Sequence, residues 1–309
     1  MPNYYESALD LIGNTPTVRI SKMGLPEGIN AFAKLELYNP AGSVKDRVGK
    51  AMLDAAEANG TLKPRATIIE ATAGNTGLGV ALAALGRGYR LIFVIPKKFS
   101  IEKQTLIRAL GAEVINSPSE EGMAGAIAIA EHLRAKTPNS VMLGQFTNPV
   151  NPRVHYETTG PEIWQALDGQ IDYFVAGAGS GGTYSGVMRY LKEQDPKIKG
   201  VLADPVGSTM GGGEPGAWDI EGIGNLSIPL TMDMSLIDDV VKVSSDEAVE
   251  WDRLLVRREG IFAGPSSGAA MAAVAKLADR IKADGVEHAN IVTIFPDRGA
   301  RYFSKNLYE

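Results

Sequence analysis

One lysine near the start of a predicted helix has the position that covalent chemistry needs. Val44, Val48 and Met52 recur at four-residue spacing, and Ser43 occupies the place of a helix N-cap. Lys45 is therefore predicted to lie in the first helical turn. The positive end of the helix dipole disfavours a second positive charge there, and partial burial would lower the pKa of the amine further. Such a lysine can act as a nucleophile or a base, although most single lysines are only solvated surface residues.

Three Gly-rich turns, each after an apolar run, supply the companions that Lys45 needs. In open α/β sheets ligands bind at such strand-to-helix junctions, where backbone amides and helix dipoles converge. The turn at 71–77 offers hydroxyl, amide and N–H groups to a carboxylate, and the turn at 177–183 offers a phosphate-sized set of backbone donors. The turn at 264–268 opens a helix of small residues. Together with Lys45, these turns suggest an enzyme that holds a phosphorylated aldehyde cofactor through an imine.

The second turn also supports a different class of enzyme. Gly177, Gly179 and Gly182 satisfy the pattern G-x-G-x-x-G, and Asp204 lies about 20 residues further on, as in nicotinamide-dependent dehydrogenases. The glycines alternatively do no more than permit a tight turn, because this pattern alone is a weak signal.

Strands alternate with helices along the chain, which predicts parallel sheets covered by helices on both faces. The predicted strands are 67–70, 90–95, 112–115, 171–175, 199–203 and 291–295. The predicted helices are 78–85, 101–110, 125–135, 184–193 and 269–281. We expect two three-layer α/β domains with a cleft between them. The smaller, mobile domain would be 47–150, with the substrate-carboxylate loop, and the larger would be 1–46 and 151–309, with the phosphate loop.

Composition excludes several other functions. The chain has 309 residues and a net charge of −5, from 31 basic and 36 acidic residues that are well mixed, so no basic patch for nucleic acid or an anionic membrane is expected. No apolar run approaches the roughly 20 residues that span a bilayer, and no signal peptide is visible, so we expect a cytoplasmic protein. The chain has no cysteine, and His132, His155 and His288 are too scattered to predict a metal site. We expect each histidine to be structural or exposed, and we expect no appended regulatory domain after Glu309.

Seven motifs then occur in order along nearly the whole chain. They are LIGNTP at 11–16, SVKDR at 43–47, GNTG at 74–77, QFTNP at 145–149, GSGGT at 179–183, EGIG at 221–224 and GPSSG at 264–268. In these motifs the chain resembles the cysteine synthase and cystathionine β-synthase family of pyridoxal-phosphate enzymes. The resemblance implies fold type II, which is that of the tryptophan synthase β subunit, and a homodimer.

The resemblance also implies a role for each matching residue. Lys45 would bind pyridoxal phosphate through an imine and later move the substrate Cα proton, while Asn75 would hydrogen-bond the 3′-oxygen of the cofactor. Ser266 would face the pyridine nitrogen, where a hydroxyl instead of a carboxylate favours β-elimination. The phosphate would be held by Gly179, Ser180, Gly181, Gly182 and Thr183. The substrate carboxylate would be bound by Thr72, Ala73, Gly74, Thr76 and Gln145, and the substrate site would also include Asn75, Glu221 and Gly222.

The implied reaction is β-replacement on serine or an O-activated serine through an aminoacrylate, giving cysteine with hydrosulfide or cystathionine with homocysteine. Ala73 and Glu221 replace the serine and glutamine usual in cysteine synthases, and both resemble bacterial cystathionine β-synthases of the reverse transsulfuration route. Glu221 could attract the ammonium group of a second substrate, or it could be a solvated loop carboxylate. The sequence of the segment 210–219 also differs from that usual in the family. Release of sulfide from cysteine on the same fold stays an alternative.

Overall fold

The computed structural model describes residues 4–308, which contain two β-sheets. The strands are β1 (Thr17–Ile20), β2 (Ile29–Leu35), β3 (Thr67–Ala71), β4 (Arg90–Pro96), β5 (Glu113–Ser117), β6 (Ser140–Val141), β7 (Tyr173–Gly177), β8 (Lys199–Pro205), β9 (Asp239–Val243) and β10 (Ala289–Phe295). The larger sheet has the order β1-β2-β10-β7-β8-β9 and the smaller sheet the order β5-β4-β3-β6. All neighbouring strands are parallel except β1 and β2, which are antiparallel.

The helices lie on both faces of each sheet. They are α1 (Lys45–Ala58), α2 (Asn75–Ala83), α3 (Ile101–Ala109), α4 (Gly122–Lys136), α5 (Val150–Val154), α6 (Gly160–Ala166), α7 (Gly182–Gln194), α8 (Ser245–Leu254) and α9 (Pro265–Ala283). Buried residues of α8 and α9 pack on one face of the larger sheet, and those of α6 and α7 pack on the other. On the smaller sheet, α1, α2 and α3 cover one face and α4 covers the other. The predicted α/β fold with mostly parallel sheets is confirmed.

Every strand and helix predicted from the sequence is present, with ends displaced by a few residues. The helix after the second Gly-rich turn begins at Gly182 rather than Tyr184, directly after Gly181, which is the N-cap residue and has φ +84°. The prediction omitted β1, β2, β6, β9, α5, α6 and α8. These three helices adjoin two π-helical turns, which interrupt the regular helical period. One is His155–Thr159 between α5 and α6, and the other is Leu255–Glu259 after α8.

The two sheets draw on different parts of the chain. The smaller sheet uses only strands between residues 67 and 141, and the larger sheet uses strands from 17–35 and 173–295. The domain boundaries at 46/47 and 150/151, and the mobility of the smaller domain, stay predictions. None of the helices in residues 4–308 is both long enough and apolar enough to cross a membrane.

Buried charges anchor the first turn of α1. The Arg47 guanidinium donates two hydrogen bonds to Glu36, both 2.8 Å long, and two to Glu162, both 2.7 Å long. Lys34 Nζ lies 2.7 Å from Glu162 Oε2. Burial alone would raise the pKa of Glu36, but the charge and hydrogen bonds of Arg47 bring that pKa below its ordinary value. Each buried charge therefore has a partner, as burial requires.

Close backbone contact joins α1 to α2. A Cβ atom at Gly49 would lie 2.3 Å from the carbonyl carbon of Gly79, and a Cβ at Gly79 would lie 2.2 Å from the carbonyl oxygen of Lys45. The two helices can approach this closely only because neither residue has a side chain. This contact fixes Lys45 relative to Asn75, which begins α2.

Replacing Arg47 tests the anchoring of α1. We expect Arg47→Met to lower the free energy of unfolding by about 3–5 kcal/mol, because Glu36 would become a buried charge without a partner. Denaturant unfolding followed by circular dichroism measures the change. Arg90→Met is the matched control, since the Arg90–Glu113 ion pair is more than half exposed and should leave the unfolding midpoint almost unchanged. Equal midpoints for the two variants would contradict the anchoring role.

Candidate active site

Lys45 is the first residue of α1 and is partly buried. Burial lowers the pKa of its amine to about 8, although the negative charges of Asp297 and Glu36 oppose this effect. Ser43 is not the N-cap residue that the sequence predicted, because the helix begins one residue later and Val44 occupies that place. The Ser43 hydroxyl nevertheless accepts a hydrogen bond of 3.3 Å from the Lys45 N–H group.

The second Gly-rich turn connects β7 to α7, and its geometry depends on glycine. Gly181 has φ +84°, and a Cβ atom at Gly182 would lie 2.1 Å from Asn151 Oδ1. Asn151 in turn donates a hydrogen bond of 3.0 Å to Ser180 Oγ. The first N–H groups of α7 have no intrahelical partners and meet the positive end of the helix dipole, which is the arrangement that binds phosphate. The structure therefore brings the predicted phosphate-loop residues 179–183 together in one turn.

His155 is a residue of this site whose contact the sequence did not indicate. Its Nε2 atom lies 3.1 Å from Thr183 Oγ1, and its Nδ1 atom lies 2.9 Å from Thr159 Oγ1. Burial, together with the charges of Lys45 and Arg47, lowers the pKa of His155 well below its ordinary value, so the ring is neutral near pH 7. A neutral ring held in this way orients the last hydroxyl of the phosphate loop. The other histidines are exposed.

The first Gly-rich turn is ordered by hydrogen bonds around Gln145. Thr76 Oγ1 donates to Gln145 Oε1 over 2.6 Å, and Gln145 Nε2 donates to the carbonyl oxygen of Ala71 over 3.2 Å. Thr72 Oγ1 accepts a hydrogen bond of 2.9 Å from the Gly74 N–H group. Thr72, Thr76 and Gln145 are thus brought together as predicted, and Ala73 lies partly exposed at the edge of the same turn.

Asn75 and Ser266 lie in the first turns of their helices. Asn75 Nδ2 donates to Asp297 Oδ2 over 2.7 Å, and its Oδ1 atom accepts from Arg301. Ser266 is buried in the first turn of α9, which follows Gly264. A Cβ atom at Gly264 would lie 2.2 Å from Asp297 Oδ1, so Asp297 stands between the starts of α2 and α9.

Glu221 is buried and paired, so the alternative that it is a solvated loop carboxylate is wrong. Its side chain is 5% exposed, and Oε2 lies 2.9 Å from Nζ of Lys103, a lysine that is itself 2% exposed. Lys305 Nζ lies 3.8 Å from the other carboxylate oxygen. The sequence indicated no role for Lys103, because its partner is 118 residues away along the chain.

Gly222 and the segment 210–219 adjoin this carboxylate. The carbonyl oxygen of Gly222 lies so close to the phosphate loop that a Cβ atom at Gly179 would be 2.3 Å from it. Residues 212–217 are exposed, while Trp218 Nε1 donates a hydrogen bond of 3.0 Å to the carbonyl oxygen of Ile223. The segment is therefore tied to the EGIG turn.

The structure contradicts the dehydrogenase alternative. Asp204, the expected partner of a ribose hydroxyl, is 1% exposed. Its Oδ2 atom already accepts hydrogen bonds from Lys242 Nζ at 2.5 Å and from the Gly211 N–H group at 3.0 Å. Lys242 occupies one oxygen of Asp204 and the other oxygen is buried, so neither is open to a ribose hydroxyl.

These residues fit pyridoxal phosphate. The cofactor needs an amine that loses its proton more readily than an ordinary lysine, and burial lowers the pKa of Lys45 to about 8. It also needs a set of backbone donors for its phosphate, and the turn at 179–183 forms them from glycines that no other residue can replace without a clash. Helix α5 packs against both α1, which begins at Lys45, and α7, which follows the phosphate loop, so one short helix supports both parts.

Relatives of known function support the same conclusion. The chain is 48% identical over 300 residues to the O-acetylserine dependent cystathionine β-synthase of Bacillus subtilis, covering 97% of this chain and 96% of the relative. It is 44% identical to a cysteine synthase of Helicobacter pylori, covering 97% of each. The crystal structure of an O-acetylserine dependent cystathionine β-synthase from Helicobacter pylori superposes with a TM-score of 0.94 at 43% identity, covering 99% of each chain.

Family membership follows directly from these comparisons. The family model for pyridoxal-phosphate dependent enzymes matches residues 8–297, which includes Lys45, all three Gly-rich turns and Asp297. The chain belongs to the family of pyridoxal-phosphate dependent enzymes.

Proposed function

We propose that this enzyme replaces the β-substituent of serine or an O-activated serine by a sulfur nucleophile, giving cysteine or cystathionine. The observation that carries the proposal is the partly buried Lys45 at the start of α1, because α1 packs against α5, as does the helix that follows the proposed phosphate loop. Burial lowers the pKa of the Lys45 amine to about 8. The relatives named above, at 48% and 44% identity, are a cystathionine β-synthase and a cysteine synthase.

The cofactor supplies an aldehyde that condenses with amines and a ring that withdraws electrons from the substrate Cα. The chain supplies the remaining functions. With a pKa of about 8, the amine of Lys45 can accept the Cα proton and return it at neutral pH. Ser266, in the first turn of α9, offers the pyridine nitrogen a hydroxyl and no negative charge.

The phosphate and the substrate carboxylate are held by separate turns. The residues at 179–183 bind the phosphate with the N–H groups of α7 and with Thr183, which His155 orients. Thr72, Gly74 and Thr76 bind the carboxylate with the turn before α2, which Gln145 braces. Two anchored ends fix the substrate plane and keep its Cα–H bond within reach of Lys45.

For the donor we infer O-acetylserine, since the names of the Bacillus subtilis relative and of the superposed crystal structure both specify it. Its acetate is a better leaving group than the hydroxide of serine, and no metal or acid is needed to expel it. The nucleophile is hydrosulfide or homocysteine. We propose that Glu221, whose carboxylate is buried, influences which of the two nucleophiles the enzyme accepts.

The reaction products distinguish the two nucleophiles. Serine and O-acetylserine are supplied separately to the purified enzyme, each with hydrosulfide or homocysteine, and the products are identified by mass spectrometry. We expect turnover with O-acetylserine to exceed that with serine. Cysteine as the main product identifies a cysteine synthase, and cystathionine identifies a cystathionine β-synthase. Absence of both products from every combination would overturn the proposed function.

Replacement of Lys45 tests its role. Lys45→Ala should abolish turnover and the visible absorption band that the cofactor gives with the wild type, because the only amine proposed to bind the cofactor is lost. Absorption spectroscopy and a turnover assay measure both effects. Lys50→Ala, five residues further along the same helix, is the control and should retain both. A Lys45→Ala variant with the wild-type band would show that another lysine binds the cofactor.

The substrate turn is tested at Gly74. Gly74 has φ +121°, and a Cβ atom there would lie 2.7 Å from Lys103 Cδ. We expect Gly74→Ala to lower kcat/KM for the donor roughly tenfold or more, since a strain of about 1–3 kcal/mol falls on the turn that binds its carboxylate. Gly86→Ala is a matched control, because Gly86 also has a positive φ, +74°, but no atom lies within 4 Å of its Cβ position. That variant should lose some stability while its kcat/KM stays at the wild-type value; a comparable loss in both variants would argue against a specific role of the turn.

We further propose a cytoplasmic homodimer that acts in reverse transsulfuration. The resemblance of the ATAGNTG loop at 71–77 and of the EGIG turn to bacterial cystathionine β-synthases supports the pathway. The homodimer is supported by the resemblance to the family, whose members usually form homodimers. The two-domain arrangement, with 47–150 as the mobile part, is likewise proposed. Closure of 47–150 over the cleft would exclude water during the reaction.

A further inference from the structure

A continuous row of polar side chains crosses the space between the two sheets. Lys103 Nζ donates to Glu221 Oε2 over 2.9 Å and to Tyr302 Oη over 2.8 Å. Tyr302 Oη donates to Asp297 Oδ2 over 2.6 Å, and Asn75 Nδ2 donates to the same oxygen over 2.7 Å. Every member except Asn75 is buried.

The row joins the proposed cofactor end of the site to the end where Glu221 lies. Asn75 and Lys103 belong to α2 and α3, which pack on the smaller sheet. Asp297 follows β10 of the larger sheet, and Tyr302 lies in the helical turn Gly299–Lys305 that comes after it. Asp297 is the acceptor at which the hydrogen bonds from the two sides meet.

Asp297 has the geometry of a residue that holds others in place. Its side chain is 1% exposed, and Oδ2 accepts two hydrogen bonds from two different elements. Among residues 4–308, Oδ1 has no hydrogen-bond partner and lies against Gly264, two residues before Ser266. We propose that Asp297 is a positioning residue of the reaction, which fixes the amide of Asn75 against the cofactor and supplies a negative charge beside Lys45.

The orientation of Asn75 follows from its two neighbours. Asp297 accepts from the amide nitrogen, and Arg301 donates to the amide oxygen, so a flipped amide would face a carboxylate with its oxygen and a guanidinium with its nitrogen. This arrangement keeps an N–H group available on Asn75, as a donor to the cofactor oxygen requires.

Asp297 lies close to the start of α1, because Ser43 and Asp297 form an isolated antiparallel β-bridge and the Val44 N–H group donates to the Pro296 carbonyl oxygen over 2.8 Å. The charge of Asp297 therefore acts on Lys45. Burial lowers the pKa of this amine, and Asp297 is the strongest of the charges that raise it again. A carboxylate near an ammonium group stabilises the protonated form, so loss of that charge lowers the pKa of Lys45 and lets the amine act as a base at lower pH. The other charged and titratable groups around the pair are Glu36, Asp46, Lys103, His155, Asp252, Arg301, Tyr302 and Tyr308.

The test replaces Asp297 in the cofactor-loaded enzyme and follows two quantities against pH, kcat and the visible absorption of the resting enzyme without substrate. Asp297→Asn keeps the shape and an acceptor oxygen but removes the charge. We expect the acidic limb of the kcat profile to move to lower pH by about one unit or more. We also expect the visible band to change its wavelength or its pH midpoint, because the negative charge near the cofactor has been removed.

Two further variants separate positioning from stability. Asp297→Glu retains the charge and should return the kcat profile toward that of the wild type. Asp252→Asn is the matched control, since Asp252 is a buried acid near Asp297 whose pKa is raised to about 8 by burial, so it is mostly neutral at pH 7 and its replacement should shift neither quantity. Thermal melting of all three variants shows whether each is folded.

The inference depends on the proposed function, and the outcomes distinguish the two. A wild-type enzyme without β-replacement activity would overturn the function. A wild type that turns over, with a folded Asp297→Asn variant whose pH profile and visible band both equal those of the wild type, would overturn the role of Asp297 alone. If Asp297→Asn does not fold, the Asp297→Glu variant decides. A kcat–pH profile equal to that of the wild type supports the role of the negative charge. A folded Asp297→Glu variant whose acidic limb lies at lower pH contradicts that role.

Discussion

The site depends on the guanidinium group of Arg47, which two carboxylates hold in a buried position. Glu36 directly follows β2 and Glu162 belongs to α6. The four hydrogen bonds of Arg47 therefore fix the start of α1 to two separate elements, a strand end of the larger sheet and a helix that packs on that sheet. Lys45 lies two residues before Arg47 in the same helical turn, so the anchoring of Arg47 also fixes the position of the Lys45 backbone. Buried charges contribute little net stability, but a fully paired set has only one arrangement that satisfies every member.

The other parts of the site are positioned relative to α1 by close packing contacts. Gly49 and Gly79 let α1 and α2 touch, which places Asn75 relative to Lys45. Asn151 and His155, from the helical segment after residue 149, hold Ser180 and Thr183 of the phosphate loop. The turns proposed to bind the ligands are thus loops in sequence but are supported by rigid helices, as precise catalysis requires.

The sequence predicted those parts of the site whose signal is local. Lys45 and the three Gly-rich turns were found because strand, turn and helix follow each other within a few residues, and the turns demand glycine. Lys103, His155 and Asp297 were not assigned a role, because their roles arise from partners far away along the chain: 118 residues separate Lys103 from Glu221, and 222 separate Asn75 from Asp297. The burial of Glu221 was missed for the same reason, since a carboxylate in a Gly-rich loop looks solvated until its distant lysine is known.

Gly74 lies directly against the methylene groups of Lys103. The three nearest atoms to a Cβ at Gly74 are all carbons of that one side chain. The far end of the same side chain carries the ammonium group that neutralises Glu221. The turn before α2 and the buried carboxylate of Glu221 therefore contact the same side chain. A side chain added at residue 74 would press on the lysine that neutralises Glu221, so the conformation of this turn and the position of the buried ion pair depend on each other.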